Sequence, residues 1–561
     1  MIIAVMASHW KVKAQITAAA GQSRQHQIIQ ALLTNRNLTT PKLRRLFLSP
    51  PPPQTIKPQS VGLNLPALKT AAGRIKKAIK DQELIYIYGD YDTDGITATA
   101  VLWEALNLAK AKVLPFIPAR DEPVRGLSPQ GINLIIKAAG QKPSLIITVD
   151  NGISAFKGCL YAAKLGIDVI ISDHHQPKTK NHQPIYPKAL VIVHTLELAG
   201  VGVSWFLAQA VLKTSSTLDL VALGTIADMV PLLNANRSLT KFGLEKLKRT
   251  PRPGLIALAK TAGLDLDSLE AFQVSYVLAP RLNAMGRLEH ALDALRLLCT
   301  TDQHRAHRLA ANLSQTNQLR QDITIEMFIK AKNMVLTQPK DQPLIFLADA
   351  SFHEGVVGLV AGRLVEEFNR PVFMVALTKN YAKASVRSIK GFNAIKAIRS
   401  LQNLLLEHGG HELAAGFTSE TKNLPAIQTR LKTLAAKALA KKALTPTLAI
   451  DCQLNLSDIT WELFNQLDQL KPFGFANPQP VFCTRGVKLL SFRSVGQDQK
   501  HLKLNLQGET LKVDAIAFNF GHLADQLTSG QLIDIAYTLE KNFFNGNQSL
   551  QLKIKDIQIK V

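Results

Sequence analysis

The sequence predicts an α/β protein with a β-barrel in its C-terminal part, and three observations carry this prediction. Short apolar segments alternate with helical segments over residues 67–230, a pattern typical of a parallel sheet covered on both faces. A second, smaller α/β pattern occupies residues 344–445, after a long polar-faced helix at about 302–336 that is expected to join the two α/β domains. Short β-type runs fill residues 447–561.

The length of the chain predicts several domains, because a single core stops growing near ~250–300 residues. We expect an N-terminal arm at 1–60, a first α/β domain at 61–320 with a helical subregion and a linker helix to about 337, a smaller α/β domain at 338–445, and an OB-like barrel at 446–561.

The arm contains a helical stretch around HQIIQALL and ends in the proline-rich spacer SPPPPQTIKP, so we expect it to pack on the main body. The first α/β domain is expected to contain helices at 68–80, from 96, at 129–139 and at 155–165, and strands at 84–88, 113–117, 145–149, 168–172 and 189–193.

The charge balance favours a polyanionic partner. Lys and Arg number 66 and Asp and Glu number 42, which gives a net charge of +24. Such an excess draws a protein toward nucleic acid through counterion release. A basic but inert surface is the alternative, and an anionic membrane lacks support because no long basic amphipathic helix is evident.

The cysteines and the apolar runs indicate a cytoplasmic protein. Cys159, Cys299, Cys452 and Cys483 form no CxxC pair, which predicts reduced thiols rather than disulfides or a zinc site. No apolar run approaches the ~20 residues of a membrane helix, and the first residues lack the positive region of a signal peptide.

Acidic and imidazole side chains follow three predicted strands in succession. Because ligands bind outside the carboxyl ends of parallel strands, these side chains are expected to share one crevice. The candidates are Asp90, Asp92 and Asp94 after LIYIY, Asp150 after LIITV, Asp173, His174 and His175 after DVIIS, and Asp228 in the later segment GTIADMVPL.

Such a cluster would repel itself unless cations neutralised it. Carboxylates with imidazole suit two divalent ions, Mn²⁺ or Mg²⁺, which can clamp both the attacking and the leaving oxygen of a phosphate displacement when one carboxylate bridges them. The alternatives are turn and helix-cap aspartates, a structural histidine pair, or a calcium loop, although Val101 stands where that loop needs a glutamate.

The segments GDYDTDGITATA, VDNGIS, SDHH and GTIADMVPL resemble the four motifs of the DHH phosphoesterase superfamily, and in particular its branch of exonucleases specific for single-stranded DNA. The resemblance implies that Asp150 bridges two metals and that His175 faces the scissile phosphate. It further implies Asp92 and Asp150 as ligands of one metal, Asp94, Asp150, His174 and Asp228 as ligands of the other, Asp173 as support for its neighbours, and Asp90 as a weaker ligand candidate.

One position departs from the family pattern within the first motif. Many relatives have a histidine where this chain has Tyr88, and tyrosine is a poor neutral ligand. We therefore expect one weakly held metal, filled when substrate is bound.

The resemblance extends to two further segments. APRLNAMGR resembles the family's arginine segment, in which Arg281 and Arg287 would grip phosphates, although two surface arginines are the alternative. The second α/β region resembles the DHHA1 domain, with a glycine pair expected to precede a helix N-terminus that binds phosphate, although such a pair is often structural. Its candidate phosphate-binding residues are His353, Ser385, Arg387, Gly409, Gly410 and His411.

The segment LKPFGFANPQPVF resembles the entry to an OB-like nucleic-acid-binding domain. Phe473, Phe475 and Phe482 are candidates for base stacking, with core packing as the alternative. Lys500, Lys503 and Lys512 could follow a phosphate backbone. Two loops depart from the family pattern, at Val124–Arg125 and at IVHTL in the 176–200 region, and these changes are expected to alter the substrate channel.

The expected function is a monomeric two-metal exonuclease of DNA repair and recombination that releases mononucleotides from single-stranded DNA. A narrow cleft would admit one strand and exclude a duplex, and the resemblance implies 5′-to-3′ polarity and a single-strand-binding protein or a helicase as partner. The alternatives are a DHH phosphoesterase acting on short oligonucleotides or cyclic dinucleotides, and a catalytically inactive DNA-binding subunit.

Overall fold

The computed structural model describes residues 9–16, 23–119, 126–213, 217–339, 341–440, 446–509, 511–544 and 546–559. The chain divides into two compact units. The first unit comprises Met1–Asn283, Ala291–Ala311 and Thr447–Val561, and the second comprises Ala284–His290 and Asn312–Pro446. The loop change expected at Val124–Arg125 lies outside the described residues.

The arm and the first α/β domain alternate helices and strands as the sequence predicts. In chain order they form β1 (His9–Ala14), α1 (Arg24–Asn35), α2 (Pro41–Leu48), α3 (Leu65–Lys80), β2 (Ile85–Tyr88), α4 (Thr93–Leu108), β3 (Val113–Phe116), α5 (Pro129–Ala139), β4 (Leu145–Val149), α6 (Phe156–Lys164), β5 (Asp168–Asp173), β6 (Lys178–Lys180), β7 (Gln183–Ile185), β8 (Val191–His194), α7 (Gly200–Val211) and α8 (Leu218–Ala227).

Five parallel strands form the sheet of this domain, in the order β3-β2-β4-β5-β8. Strands β2 and β4 are buried along their whole length, which agrees with their unbroken apolar sequences. The chain leaves β2 toward β3 on one side, whereas β4 and β5 lie on the other side. The carboxyl ends of β2 and β4 therefore flank a topological switch point, where open α/β sheets bind ligands.

Helix α4 begins three residues earlier than the expected position 96. The side chain of Asp92 accepts a hydrogen bond from the backbone N–H of Gly95 at 3.0 Å and so caps the helix. Asp92 is therefore a helix-capping residue, as one of the alternatives predicted. It also belongs to residues 90–94, which contain three aspartates and are called the acidic loop below.

The region after α8 is helical, as expected. It contains α9 (Asn234–Lys248), α10 (Pro253–Thr261), the short α11 (Ala271–Gln273), a π-helical turn (Val274–Leu278), α12 (Ala279–Leu288), α13 (Leu292–Cys299) and the 34-residue α14 (Gln303–Leu336).

A buried ion-pair network ties three of these helices together. Arg252, at the start of α10, donates from Nε to Asp219 of α8 at 2.8 Å and from Nη2 to Glu104 of α4 at 2.8 Å. Thr250 donates to the same oxygen of Asp219 at 2.8 Å. Because α4 starts in the acidic loop and Asp228 directly follows the last residue of α8, this network fixes the two helices that position candidate metal ligands.

The elements of the second unit are β9 (Ile345–Asp349), α15 (Val357–Phe368), β10 (Val372–Leu377), β11 (Tyr381–Arg387), α16 (Ala394–Arg399), β12 (Glu407–Gly410), β13 (Ala414–Glu420) and α17 (Leu424–Leu439). Its strands form a five-stranded mixed sheet, in the order β12-β13-β11-β10-β9. The hydrophobic core of the unit lies on both faces of this sheet, against α15 on one side and α17 on the other.

The C-terminal region contains β14 (Thr447–Gln453), α18 (Trp461–Asp468), β15 (Phe482–Val495), β16 (His501–Gln507), β17 (Lys512–Ala517), β18 (Leu532–Phe544) and β19 (Asn547–Ile559). Five of these strands form a barrel in the order β15-β16-β17-β19-β18, which the pairing of β15 with β18 closes. Strand β14 pairs with β15 outside the barrel.

The arm belongs to the barrel rather than to a separate body. Strand β1 pairs in parallel with β14. Ile28, Leu32 and Leu33 of α1 are buried in the same hydrophobic core as the barrel strands. The expectation that the arm packs on the main body is confirmed, and its apolar face is an integral part of the barrel core.

A buried arginine joins the arm, the helical subregion and the barrel. Arg237 of α9 is fully buried, and its guanidinium lies 3.7 Å from the ring centroid of Phe47. It donates to the backbone oxygens of Phe47 at 2.6 Å and of Lys471 at 2.7 Å. Carbonyl dipoles and an aromatic face thus replace a counter-ion around this charge.

All four cysteines are free and three are buried, which confirms the predicted thiols. Within the described residues, no helix has the length and apolar character needed to cross a bilayer.

Replacing Arg252 with methionine is expected to lower the free energy of unfolding by about 3–5 kcal/mol, because Glu104 and Asp219 would keep buried charges without a partner. The exposed Arg249 provides the matched control, and its replacement with methionine should change stability by no more than about 0.5 kcal/mol. Denaturant unfolding of both variants measures the difference, and equal stabilities would contradict a structural role for the network.

Candidate metal centre

The predicted acidic and imidazole side chains converge at the carboxyl ends of β2, β4 and β5. Nε2 of His174 lies 3.1 Å from Oδ1 of Asp150, 3.7 Å from Oδ2 of Asp228 and 3.8 Å from Oδ2 of Asp94. Asp94, His174 and Asp228 form one group whose ligand atoms all lie within 4.8 Å of one another, and Asp150, His174 and His175 form a second such group. Residues more than 130 positions apart in the chain thus share one pocket.

Backbone N–H groups at the start of α7 hold Asp94. Gly200 N donates to Oδ2 at 2.7 Å, and Val201 N donates to Oδ1 at 2.8 Å. A helix N-terminus suits a carboxylate because its N–H groups are unpaired and its dipole is positive there. Sequence reasoning assigned no role to Gly200 or Val201.

The backbone of Asp150 is strained, and its side chain occupies space that a glycine at position 200 leaves open. Its φ is +60°, a left-handed conformation that non-glycine residues adopt at a cost. A Cβ atom added at Gly200 would lie 2.5 Å from Oδ1 of Asp150. The side chain of Asp150 therefore needs a residue without a side chain at the start of α7.

Asp173 organises the two histidines that follow it. Its Oδ1 accepts from the backbone N–H groups of His174 at 2.7 Å and His175 at 3.1 Å, and it lies 2.8 Å from Nδ1 of His175. Its Oδ2 accepts from Ile153 N at 2.8 Å. His194, at the end of β8, donates from Nε2 to the backbone oxygen of His175 at 2.7 Å. Sequence reasoning noted only that the segment IVHTL was unusual and gave its histidine no role.

Burial and mutual repulsion keep protons on the carboxylates when no cation is present. Burial and the charge of Asp92 raise the pKa of Asp94 to about 7. Burial and the charges of Asp94 and Asp92 raise the pKa of Asp228 to about 9. The pKa of Asp150 is also raised well above its usual range, by burial and by its acidic neighbours. Displacing these protons requires a strong positive charge.

The two histidines titrate in opposite directions. Burial and the charge of His175 lower the pKa of His174 to about 4, so its imidazole is neutral and able to bind a metal. Burial disfavours charge on His175, but its hydrogen bond to Asp173 and the charges of Asp173, Asp90 and Asp228 raise its pKa to about 9. His175 therefore carries a proton at neutral pH.

A geometric observation, in addition to the chemistry of the side chains, shows that the aspartates and His174 fit a divalent cation. Oδ1 of Asp150 and Nε2 of His174 are buried and make no hydrogen bond among the described residues. Buried polar atoms are almost always paired, so two unpaired acceptors that face one another indicate a ligand. Oxygen and imidazole donors are the set that Mn²⁺ and Mg²⁺ accept.

The remaining residues of the acidic loop lie outside the two groups of ligand atoms. Asp90 accepts from Tyr91 N at 2.7 Å, and Asp92 keeps its capping hydrogen bond. Both aspartates nevertheless raise the pKa of Asp150 through their charges. Tyr88 is fully buried, with its ring 5.1 Å from that of Phe116. The side chain that replaces the family histidine thus packs in the core of the domain.

The arginine segment divides between the two units. Arg281 belongs to the first unit and donates to the backbone oxygen of Val277 at 2.7 Å. Asn283 accepts from Thr93 N at 2.8 Å and so anchors α12 to the acidic loop, a contact that sequence reasoning missed. Arg287 belongs to the second unit, where it donates to the backbone oxygen of Gly355 at 2.9 Å.

Within the second unit, three of the predicted phosphate-binding residues lie near the start of α15. A Cβ atom at Gly358 would be 2.8 Å from Ser385 Oγ and 3.3 Å from Arg387 Nη2. Nδ1 of His353 accepts from Gly355 N at 3.0 Å. The Arg387 guanidinium and the Ser385 hydroxyl thus lie next to the first turn of α15, a few residues after His353 in the chain.

The helix expected after the glycine pair is absent from the described residues of this segment. Gly409 and Gly410 end strand β12, and His411 N donates to Ala414 O at 2.7 Å in the turn to β13. Gly410 has a φ of +126°, and a Cβ there would lie 2.4 Å from the Cα of Ala415. The pair therefore permits a close β-hairpin, and the prediction of a helix N-terminus here was wrong.

The candidate aromatic residues of the barrel entry differ in exposure. Phe482 is fully buried, Phe473 packs against the barrel core, and only Phe475 is exposed. Core packing is the correct interpretation for the first two. Of the candidate lysines, Lys500 pairs with Asp498 at 2.8 Å, Lys503 lies 4.0 Å from Asp514, and Lys512 is exposed.

Comparison with known proteins agrees with this architecture. The DHH family N-terminal domain matches residues 84–225, the DHHA1 domain matches residues 341–437, and the RecJ OB domain matches residues 450–556. The chain is 38% identical over 545 residues to the single-stranded-DNA-specific exonuclease RecJ of Bacillus subtilis, covering 95% of this chain and 68% of that protein. It is 33% identical to RecJ of Escherichia coli, covering 92% and 96%.

A solved structure shares the fold over nearly the whole chain. The crystal structure of Thermus thermophilus RecJ in complex with Mn²⁺ matches with a TM-score of 0.82 and 30% identity, covering 99% of this chain and 80% of that one. The same protein with Mg²⁺ gives a TM-score of 0.77. The parallel sheet, the aspartate–histidine cluster and the second α/β domain define a DHH phosphoesterase with a DHHA1 domain. The chain belongs to the RecJ family of single-stranded-DNA-specific exonucleases, which confirms the predicted fold class, enzyme class and divalent metal cofactors.

Replacing Gly200 with alanine is expected to reduce nuclease turnover by roughly 100-fold, because the new methyl group would push Asp150 out of position by about an ångström. Gly73 in α3 provides the control, since its Cβ would meet no atom within 4 Å. Gly73→Ala should leave turnover unchanged, and full turnover in Gly200→Ala would show that the close approach has no catalytic importance.

The stabilisation of the folded chain by Mn²⁺ is expected to increase with pH. Burial and the charge of Asp92 let the folded, metal-free site retain the proton of Asp94 up to about pH 7, whereas the unfolded chain loses that proton near the ordinary aspartate pKa of 3.8. Metal-free stability therefore falls as pH rises through this range, and cations that displace the proton bind more tightly at higher pH. The Mn²⁺-induced rise in melting temperature should be larger at pH 8 than at pH 6, and an equal or smaller rise at pH 8 would contradict the raised pKa.

Proposed function

We propose that this chain removes mononucleotides from single-stranded DNA, starting at the 5′ end, by hydrolysis that depends on two divalent cations. One observation carries the proposal, namely that Asp94, Asp150, His174 and Asp228 meet within one pocket, where two buried ligand atoms make no hydrogen bond among the described residues. Membership of the RecJ family supports the substrate, and the 5′-to-3′ polarity follows from the family resemblance.

Asp94, Asp150, His174 and Asp228 would hold the more tightly bound cation. Asp150 would also bridge to a second cation with Asp92, and Asp90 is a weaker candidate there. When bound, the cations would neutralise the phosphate and lower the pKa of the attacking water. The buried Tyr88 gives this second position one ligand fewer than in relatives, which supports weaker binding there.

His175 acts on the substrate rather than on a metal in this proposal. Its Nδ1 is engaged by Asp173, so Nε2 is the nitrogen able to donate a hydrogen bond to a phosphate oxygen. Despite burial, the hydrogen bond to Asp173 raises the pKa of His175 to about 9 in the metal-free site, which supports this role as a donor. Asp173 is a positioning residue, since it fixes the backbone of both histidines and orients one imidazole.

Arg281 and Arg287 are proposed to bind phosphates of the strand. In the second unit, His353, Ser385, Arg387 and His411 are proposed to bind a phosphate with the backbone around Gly409 and Gly410. The clustering of Ser385 and Arg387 at the start of α15 supports this assignment, because a helix N-terminus with adjacent cationic donors is a site for anions.

The net charge of +24 and the C-terminal barrel support a polymeric substrate over a cyclic dinucleotide. We further propose that the enzyme is a cytoplasmic monomer that meets a single-strand-binding protein or a helicase during repair. Size-exclusion chromatography at several concentrations tests the monomer, and a second, concentration-dependent species would contradict it.

Replacing Asp150 with alanine is expected to abolish turnover while leaving folding and most DNA binding intact, because the bridging carboxylate is lost and the phosphate contacts remain. The assay uses 30-nucleotide single strands and duplexes labelled at either end, with Mn²⁺, Mg²⁺ or chelator. A 5′ label should appear first as a mononucleotide, and a 3′ label as a descending ladder.

The same assay separates the proposal from its rivals. Faster cleavage of dimers to pentamers than of long strands would indicate a short-oligonucleotide phosphoesterase. DNA binding without any Mn²⁺-dependent cleavage would indicate an inactive subunit. Full activity in Asp150→Ala would overturn the bridging role.

A further inference from the structure

Two aromatic rings stack on one another at the surface of the helical subregion. The ring centroids of Phe272 and Tyr276 are 4.7 Å apart with an interplanar angle of 29°. Both residues are unusually exposed for large aromatic side chains, with 60% and 66% of their surface accessible. More than half of each ring is exposed, so burial in a hydrophobic core does not account for them.

The barrel places a third ring and a cation beside this pair. Nζ of Lys553 on β19 lies 6.0 Å from the ring centroid of Phe272 and 5.5 Å from that of Phe518. Phe518 follows β17 and is 46% exposed. Lys553 also pairs with Glu540 at 3.1 Å, which holds the ammonium in this position. We call Phe272, Tyr276, Phe518 and Lys553 the ring platform.

The platform is connected to the metal centre through a short, continuous stretch of helix. Tyr276 lies in the π-helical turn Val274–Leu278, and such turns are frequent at functional sites. The next residue, Val277, accepts the hydrogen bond of Arg281. Arg281 follows Tyr276 by five residues, which is about 7 Å along a helix axis.

The same stretch of helix also reaches the acidic loop directly. Ala279 O accepts from Thr93 Oγ1 at 3.2 Å, and Thr93 is flanked by Asp92 and Asp94. One stretch of helix therefore carries the paired rings and Arg281 and contacts the acidic loop.

We propose that the ring platform stacks consecutive bases of single-stranded DNA and delivers the strand toward the metal centre. Every base has a π-face, so stacking is independent of sequence, and a cation between rings suits the phosphates that link stacked bases. In a duplex these faces are covered by neighbouring bases. The platform therefore supplies a selectivity for single strands that does not depend on the width of a channel.

This inference rests on the proposed function, because it assigns the platform to the same substrate. Its test measures binding in the presence of chelator, so that it is independent of turnover. The variant Phe272→Leu/Tyr276→Leu keeps apolar side chains on the helix and removes the π-faces. Tyr381, which is 52% exposed at the start of β11, is the matched control as Tyr381→Leu.

The probe is a labelled 20-nucleotide oligothymidylate and a series of the same strand with abasic units at successive positions. Stacking contributes about 1–3 kcal/mol per base, so Kd for the intact strand should rise about 10-fold or more in the double variant and remain unchanged in the control. Abasic units at the stacked positions should weaken binding to the unaltered chain by a similar factor and have no further effect on the double variant.

Two results would overturn the platform. One is equal affinity of the double variant and the unaltered chain for the intact strand. The other is a loss from the abasic units that simply multiplies the loss from the variant, because ring and base would then act independently. The proposed function fails on a different result, the absence of metal-dependent release of mononucleotides by the unaltered chain.

Discussion

The structure depends on accommodating carboxylate groups that are buried away from solvent at the metal centre. Asp94 and Asp150 are almost completely buried, and an unpaired buried carboxylate is costly enough to become protonated instead. The fold meets this constraint with the N–H groups of α7, a neutral imidazole at His174, and a pocket in which Oδ1 of Asp150 and Nε2 of His174 make no hydrogen bond among the described residues. Gly200 is required for the same reason, because a side chain there would occupy the space of the Asp150 carboxylate.

Much of this arrangement could be predicted from local patterns. Unbroken apolar strands identify the parallel sheet, and acidic residues directly after β2, β4 and β5 must lie at one edge of it because parallel strands share a direction. The contacts that refine the site could not be predicted in this way. The support of Asp94 by α7, of the acidic loop by Asn283 and of His175 by His194 joins segments that are distant in sequence, and none of these residues carries a local signal. The prediction of a helix N-terminus after Gly409 and Gly410 was wrong, because a glycine pair is compatible both with the start of a helix and with a tight hairpin.

Arg252 and Arg237 both carry a buried positive charge, but different kinds of partner stabilise the two side chains. Arg252 is surrounded by two carboxylates and holds α4 and α8, the helices on either side of the metal centre. Arg237 is surrounded by carbonyl oxygens and the ring of Phe47, and it holds the arm and the segment leading into the barrel against α9. Neither role could be predicted from the sequence, because no local pattern distinguishes a buried arginine from an exposed one.

The core shared by α1 and the barrel strands affects how the chain is made. The ribosome completes the arm near the start of synthesis, but strand β14 and helix α18, which contact α1, lie about 420 residues later. At 5–20 residues per second, roughly 20–85 s pass before these elements emerge. During this interval Ile28, Leu32 and Leu33 lack their final partners, so the apolar face of the nascent arm stays exposed until synthesis of the chain is nearly finished.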